Sequence, residues 1–120
     1  MGESYITCRE EKGSINISEE VISGLVRSTI SEVEGVSGLA NAAGAEIAEF
    51  IGLKQLSRGV KVQFADETIV TDAVIIVKYG CNILEVARRV QSEVVSMLQS
   101  TTGIDKVEVN IHVSGVAFDK

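Results

Sequence analysis

Regular alternation of apolar and polar residues predicts several strands. Residues 107–113 alternate without interruption, which is typical of a strand with one buried and one solvated face. Residues 60–64 alternate in the same way, and a short acidic turn joins them to an apolar run at residues 69–79. These two segments are predicted to form a hairpin. Ile15 and Ile17 indicate a further strand at an edge of the sheet.

Two other segments have the periodicity of amphipathic helices. The first begins after Ser18, which precedes two glutamates and suits an N-cap, and it is predicted to end at Gly35 in the left-handed conformation. The second begins after Asn82, whose spacing from Glu85 approximates a capping box, and it ends at Gly103. The predicted apolar faces comprise Val21, Ile22, Leu25, Val26, Ile30 and Val33 in the first helix and Ile83, Val86, Ala87, Val90, Val94, Met97 and Leu98 in the second.

The order of these elements predicts the fold class. The hairpin, the second helix and the final strand form a β-β-α-β unit, in which a helical crossover returns the last strand parallel within the sheet. We therefore expect an α+β fold, with a mixed sheet of three to five strands and two main helices packed on one face. Residues 1–12 form an N-terminal segment that is a candidate edge strand, and residues 13–118 form one domain.

Charge and composition narrow the classes of function. The net charge of −6 over 120 residues weighs against nucleic acid and anionic lipid, because binding to phosphate depends on lysine, arginine and counterion release. No apolar run reaches the roughly 20 residues that a spanning helix needs, so direct membrane insertion is not expected. The first residues lack the basic start and apolar middle of a signal peptide. We expect a cytoplasmic protein without cofactor or metal.

Cys81 lies just before a helix N-terminus, where the helix dipole can lower the pKa of a thiol. A nucleophile also needs a base, and the chain has a single histidine, His112, on the solvated side of a predicted strand. A small residue in a turn is the favoured interpretation of Cys81. A thiol enzyme is the weaker alternative.

One face of the predicted sheet is a candidate docking surface. If alternate residues of the central strand face the helices, Val74 and Ile76 point away from them, together with Lys61 and His112. A polar face with an apolar centre suits self-association or the docking of a partner. Alternatively, residues 36–59 fold over this face, which would also explain its apolar centre.

Residues 36–59 are rich in glycine and alanine, and they include the apolar residues Ile47, Phe50 and Ile51. These side chains could dock a protein, or they could line a groove for a small ligand such as an acyl group. The pattern does not predict whether the segment is ordered.

Four stretches together carry a family resemblance: GSINISEEVISGLVRSTISEVEGVSGL, SRGVKVQF, VIIVKYGCNILEVARRVQSEVVSML and TGIDKVEVNIHVSGVAF. In this order and spacing, residues 13–118 resemble the alkaline shock protein family of bacterial envelope stress response proteins. Ser18 and Glu85 coincide with the helix signatures of the family. Its turn glycines coincide with Gly35, Gly59, Gly80, Gly103 and Gly115.

The resemblance implies a small domain without catalytic residues, found mostly in Gram-positive bacteria. We expect a non-enzymatic interaction or scaffold module in envelope stress response and homeostasis, acting through protein contacts and self-association. The expected partner is a membrane-anchored protein or a lipid-synthesis enzyme, which would recruit the chain to the inner face of the membrane. The alternative is a regulatory binder of a lipid-synthesis enzyme or of a small acyl ligand.

Overall fold

A computed structural model describes residues 5–39, 59–65 and 67–118 of the chain. In chain order, the elements of these ranges are β1 (Tyr5–Glu10), β2 (Gly13–Ser18), α1 (Glu19–Ser31), β3 (Val36–Leu39), β4 (Val60–Ala65), β5 (Thr68–Lys78), α2 (Ile83–Thr102) and β6 (Val107–Ala117). The predicted α+β class is confirmed. The candidate residues Ile47, Phe50 and Ile51 lie outside the described residues.

Strand β5 is the centre of the main sheet. It pairs antiparallel with β4, as the predicted hairpin requires, and antiparallel with β3. Strand β6 returns parallel to β5 and pairs with it from Ile69 to Lys78. Because a strand has only two edges and β6 follows almost the whole of one, β3 and β4 lie end to end along the other.

The hydrophobic core lies between the two helices and one face of the sheet. Fully buried side chains recur every four residues on the inner side of each helix, as the helical period requires. The buried core residues of α1, α2 and the main sheet are Ile22, Val26, Ile30, Val86, Val90, Val94, Leu98, Val36, Val60, Val62, Ile69, Ala73, Ile75, Val77 and Val109. Burying each larger side chain contributes about 1.5–3 kcal/mol, so both helices are held mainly by this contact with the sheet.

Local capping sets where each helix begins. The Ser18 side chain accepts a hydrogen bond from the Val21 N–H at 3.2 Å, and the Asn82 side chain accepts one from the Glu85 N–H at 3.0 Å. Helix α2 ends at Gly103, which is left-handed with φ 79°. These bonds satisfy backbone groups that have no partner within the helix.

Helix α1 ends earlier than its sequence predicts. Its last residue is Ser31 and its C-cap is Glu32, so the prediction that Gly35 ends the helix is wrong. Hydrogen bonds between residues three apart, such as Val33 N–H to Ile30 O at 3.1 Å, tighten the turn that follows. The helix must stop here because β3 begins at Val36 and pairs with β5.

The structure also differs from the sequence prediction at two apolar helix positions and at one edge strand. Val21 and Ile83 are 53% and 44% exposed, because both stand in the first turn of a helix, where the rest of the molecule covers less of the side chain. Ile15 and Ile17 lie in β2, which pairs with β1 in a separate two-stranded sheet rather than extending the main sheet.

The remaining family glycines have different surroundings. Gly59 (φ 85°) and Gly80 (φ 96°) flank strands in positive-φ conformations. Gly115 lies within β6, opposite Ile76, where the register between β5 and β6 shifts. It is therefore part of a strand irregularity in this chain and not of a turn, which corrects the expectation from the resemblance.

Candidate functional site

The face of the main sheet that points away from the helices carries most of the predicted site residues. Strand registers place Lys61 opposite Asp72, Asp72 opposite Asn110, and Val74 opposite His112. We call this surface the outer face; it comprises Lys61, Gln63, Val70, Asp72, Val74, Ile76, Glu108, Asn110 and His112. The structure therefore brings the predicted Lys61, Val74, Ile76 and His112 onto one surface.

Polar side chains on the outer face are connected across neighbouring strands. The Asn110 amide Nδ2 donates to Asp72 Oδ1 at 3.2 Å and to Glu108 Oε2 at 3.3 Å. His112 Nε2 lies 3.7 Å from the same Asp72 oxygen, and Lys61 is the register partner of Asp72 on the other side. The Asp72 side chain is only 16% exposed and that of His112 is 34% exposed. Asp72 thus accepts a hydrogen bond from Asn110 and lies within ion-pair distance of His112, so it contacts two side chains of β6.

The apolar centre predicted for this face is not open. Val74 is 0% exposed, so the expectation of an exposed patch centred on Val74 is wrong, whereas Ile76 is half-buried. Val74 sits in the middle of the central strand, and its N–H donates to the Gly59 carbonyl at 2.8 Å. A charged residue at Val74 would therefore disturb folding before it tested docking. The alternative that residues 36–59 cover this face falls mostly outside the described residues.

Cys81 and His112 lie on different sides of the sheet. The Cys81 side chain is half-buried and packs against the core beside the helices, whereas His112 belongs to the outer face. The Cys81 N–H donates to the Lys78 carbonyl at 3.3 Å within the turn that follows β5. The His112 imidazole is therefore not positioned to activate the Cys81 thiol. Cys81 is part of a turn.

A shallow groove that sequence reasoning missed runs between α2 and β6. Its volume is about 570 Å³, and it is lined by Arg88, Gln91, Ser92, Val95, Ser96, Gln99 and Val109. Within it, Gln91 Nε2 donates to the Val109 carbonyl at 3.0 Å. In the sequence, the groove could have been found from the polar residues that recur every three or four positions beside the apolar stripe of α2. The mostly polar lining is not typical of a site for an acyl chain.

Neither helix of the described ranges has the length and apolar character needed to cross a membrane.

Comparison with known sequences identifies a family. The model of the family of alkaline shock protein 23, described as having a cell envelope-related function, matches residues 7–118. Among its relatives, the uncharacterized protein YqhY of Bacillus subtilis (strain 168) is 34% identical over 107 residues, covering 89% of this chain and 79% of YqhY. The uncharacterized protein YloU of the same strain is 37% identical over 113 residues, covering 92% of this chain and 94% of YloU.

Comparison with solved structures adds information on the fold. A variant of MamM CTD superposes with a TM-score of 0.52, covering 80% of this chain and 93% of that chain. Its sequence identity to this chain is 14%, so the likeness concerns the fold alone.

Proposed function

Since the chain belongs to the family of alkaline shock protein 23, whose described function is cell envelope-related, we propose that it serves as a non-enzymatic interaction module. In this proposal, a protein partner docks on the outer face of the main sheet.

The observation that carries this proposal is a row of polar side chains across β4, β5 and β6, in which Asn110 is hydrogen-bonded to Asp72. Lys61, Asp72 and Asn110 form one row across three strands, and their half-buried positions limit the side-chain entropy that binding would cost. Ile76 adds a half-buried apolar side chain beside this row. Oriented donors and acceptors next to an apolar residue are what a polar interface needs for specificity.

A role without catalysis is supported by how the chemically reactive groups are used. Asn110 bonds to both Asp72 and Glu108, so these groups satisfy one another instead of converging on a substrate. The imidazole of His112 and the thiol of Cys81 are on opposite sides of the sheet. The groups that would have to cooperate in acyl transfer are therefore held apart.

We place the module at the inner face of the membrane, recruited by a membrane-anchored protein or by a lipid-synthesis enzyme. The cell envelope-related description of the family and the two free thiols, Cys8 and Cys81, support this location. The net charge of −6 favours a protein partner over direct contact with anionic lipid, which would repel the chain.

The test is capture of partners from a lysate of the native host, with membranes included. Wild type is compared with Lys61→Glu and with Lys12→Glu, which makes the same charge change in the exposed turn between β1 and β2. We expect wild type and Lys12→Glu to retain a membrane protein or lipid-synthesis enzyme that Lys61→Glu loses. Thermal melts check folding, because a glutamate opposite Asp72 costs about 0.2–1 kcal/mol. Equal capture by all three folded proteins would rule out docking on the outer face.

A further inference from the structure

Strand β6 has a free edge in the part of the chain that the structure describes. Lys106 O accepts from the Ile69 N–H at 3.0 Å, so the even-numbered residues of β6 up to His112 turn their backbone groups toward β5. Successive residues of a strand alternate in this direction. The N–H and C=O groups of Val107, Val109, Ile111 and Val113 therefore point to the opposite edge, where β6 pairs with no other described strand.

This free edge is long and has little protection. Strand β6 has 11 residues, about twice the typical strand length of 5–6 residues. Natural proteins usually shield such an edge with proline, a bulge or an inward-pointing charge. The chain contains no proline, and the register shift lies beyond Val113. Among the described residues, the edge is shielded by one side-chain bond, from Gln91 Nε2 to the Val109 carbonyl.

We propose that this edge pairs antiparallel with β6 of a second copy, around a two-fold axis at Asn110, so that two sheets join into one. The inference deepens the proposed function, because it names the second copy and the surface for self-association of the interaction module.

Charge complementarity selects this register. With Asn110 opposite its own copy, Glu108 lies opposite the partner's His112, and a carboxylate meets an imidazole that can donate to it. A two-fold axis at Val109 would instead place Lys106 opposite the partner's His112, where two donors face each other. On the core side, the register at Asn110 pairs the β-branched Val109 with the partner's Ile111, which suits a pleated surface.

The groove beside α2 lies along the same edge, because Val109 belongs to both. Joining two sheets puts neighbouring strands about 4.8 Å apart and brings the two copies of α2 side by side on the same face. The small Ser92 and Ser96 line the groove and leave room for that approach. In the dimer, the partner's Ile111 N–H replaces the Gln91 amide at the Val109 carbonyl.

Cysteine cross-linking tests the interface and its register together. In a Cys8→Ser, Cys81→Ser background, Asn110→Cys places two thiols opposite each other at a site without backbone hydrogen bonds between the copies. Paired Cα atoms there are about 4.5 Å apart, within the range that a disulfide spans. We expect mild oxidation to convert most of the protein to a covalent dimer of twice the 12.8 kDa mass, seen on non-reducing gels and by intact mass.

The matched controls are Glu108→Cys and His112→Cys in the same background. Each residue lies four positions from its own copy in this register, about 13 Å, so neither variant alone should form a dimer. A mixture of the two should form a mixed dimer. Cross-linking of Glu108→Cys alone at the Asn110→Cys rate would overturn the register. A wild-type chain that sediments as a monomer at all concentrations, with no cross-linking of any variant, would overturn the dimer.

Two further variants separate this inference from partner docking. Adding Gln91→Ala should raise the yield of the Asn110→Cys dimer, because it removes the side chain that competes as donor to the Val109 carbonyl. A lower yield would contradict the replacement of the Gln91 amide by the partner's Ile111 N–H. Adding Lys61→Glu should leave cross-linking unchanged, because Lys61 lies on β4, on the other side of β5. If Lys61→Glu still captures the partner while Asn110→Cys cross-links, docking on the outer face fails alone. If Lys61→Glu abolishes capture while no cysteine variant cross-links, the β6 dimer fails alone.

Discussion

Replacing Gly35 with alanine is expected to lower the free energy of unfolding through two separable effects. The first is backbone strain, because Gly35 has φ 99°. A left-handed conformation costs a residue with a Cβ about 1–2 kcal/mol. The second is a steric clash, because a Cβ at this position would lie 2.7 Å from Val86 Cγ2.

The clash is not easily relieved. Val86 is 4% exposed in the first turn of α2, and a β-branched side chain in a helix has one strongly preferred rotamer. Overpacking of this kind costs about 1–3 kcal/mol. The total for Gly35→Ala is therefore about 2–5 kcal/mol, out of the 5–15 kcal/mol typical of a small domain. We expect a folded protein whose Tm is lower by roughly 10–20 °C.

Gly80→Ala is the matched control. Gly80 has nearly the same φ, 96°, but a Cβ there would meet nothing within 4 Å. The Gly80→Ala variant should lose only the free energy of unfolding that comes from backbone strain, about 1–2 kcal/mol. Urea unfolding followed by circular dichroism gives both values, and their difference measures the contact with Val86. If the two variants lose the same free energy, the close packing of Val86 on this turn is refuted.

Two other substitutions test the core and the caps. The Thr71 hydroxyl is buried and has no hydrogen-bond partner among the described residues, so Thr71→Val should raise the free energy of unfolding by about 1–2 kcal/mol. Thr71→Ser, which keeps the hydroxyl, should lower it; a Thr71→Val protein that melts below wild type would contradict this reasoning. Asn82→Ala removes the acceptor for the Glu85 N–H and should cost about 1 kcal/mol in a urea titration. Asn82→Ser retains a cap, and equal losses for the two variants would show that capping contributes little.

Much of the candidate site can be predicted from the alternation of side chains along the strands. Lys61 and His112 were predicted to share a face because their apolar neighbours must all point to the core, and a one-residue slip would expose every one of them. The sequence left open whether Val74 is exposed for docking or covered, because exposure depends on what packs over a face and not on the alternation along the strand; the structure buries it. The bond from Asn110 to Asp72 was also missed, since it requires the parallel register of strands that are far apart in the chain.

The sequence by itself determined the local structure: the amphipathic helices, their N-caps, the hairpin of β4 and β5, and the side of each strand that faces the core. These features depend on residues within a few positions of one another, so a period or a cap is enough to specify them. Only the tertiary structure decided that β1 and β2 form a separate sheet, that β3 and β4 share one edge of β5, and that β5 is the only described strand that pairs with β6. The physical reason is that strand pairing joins distant segments, and its partner is chosen by competing contacts over the whole chain.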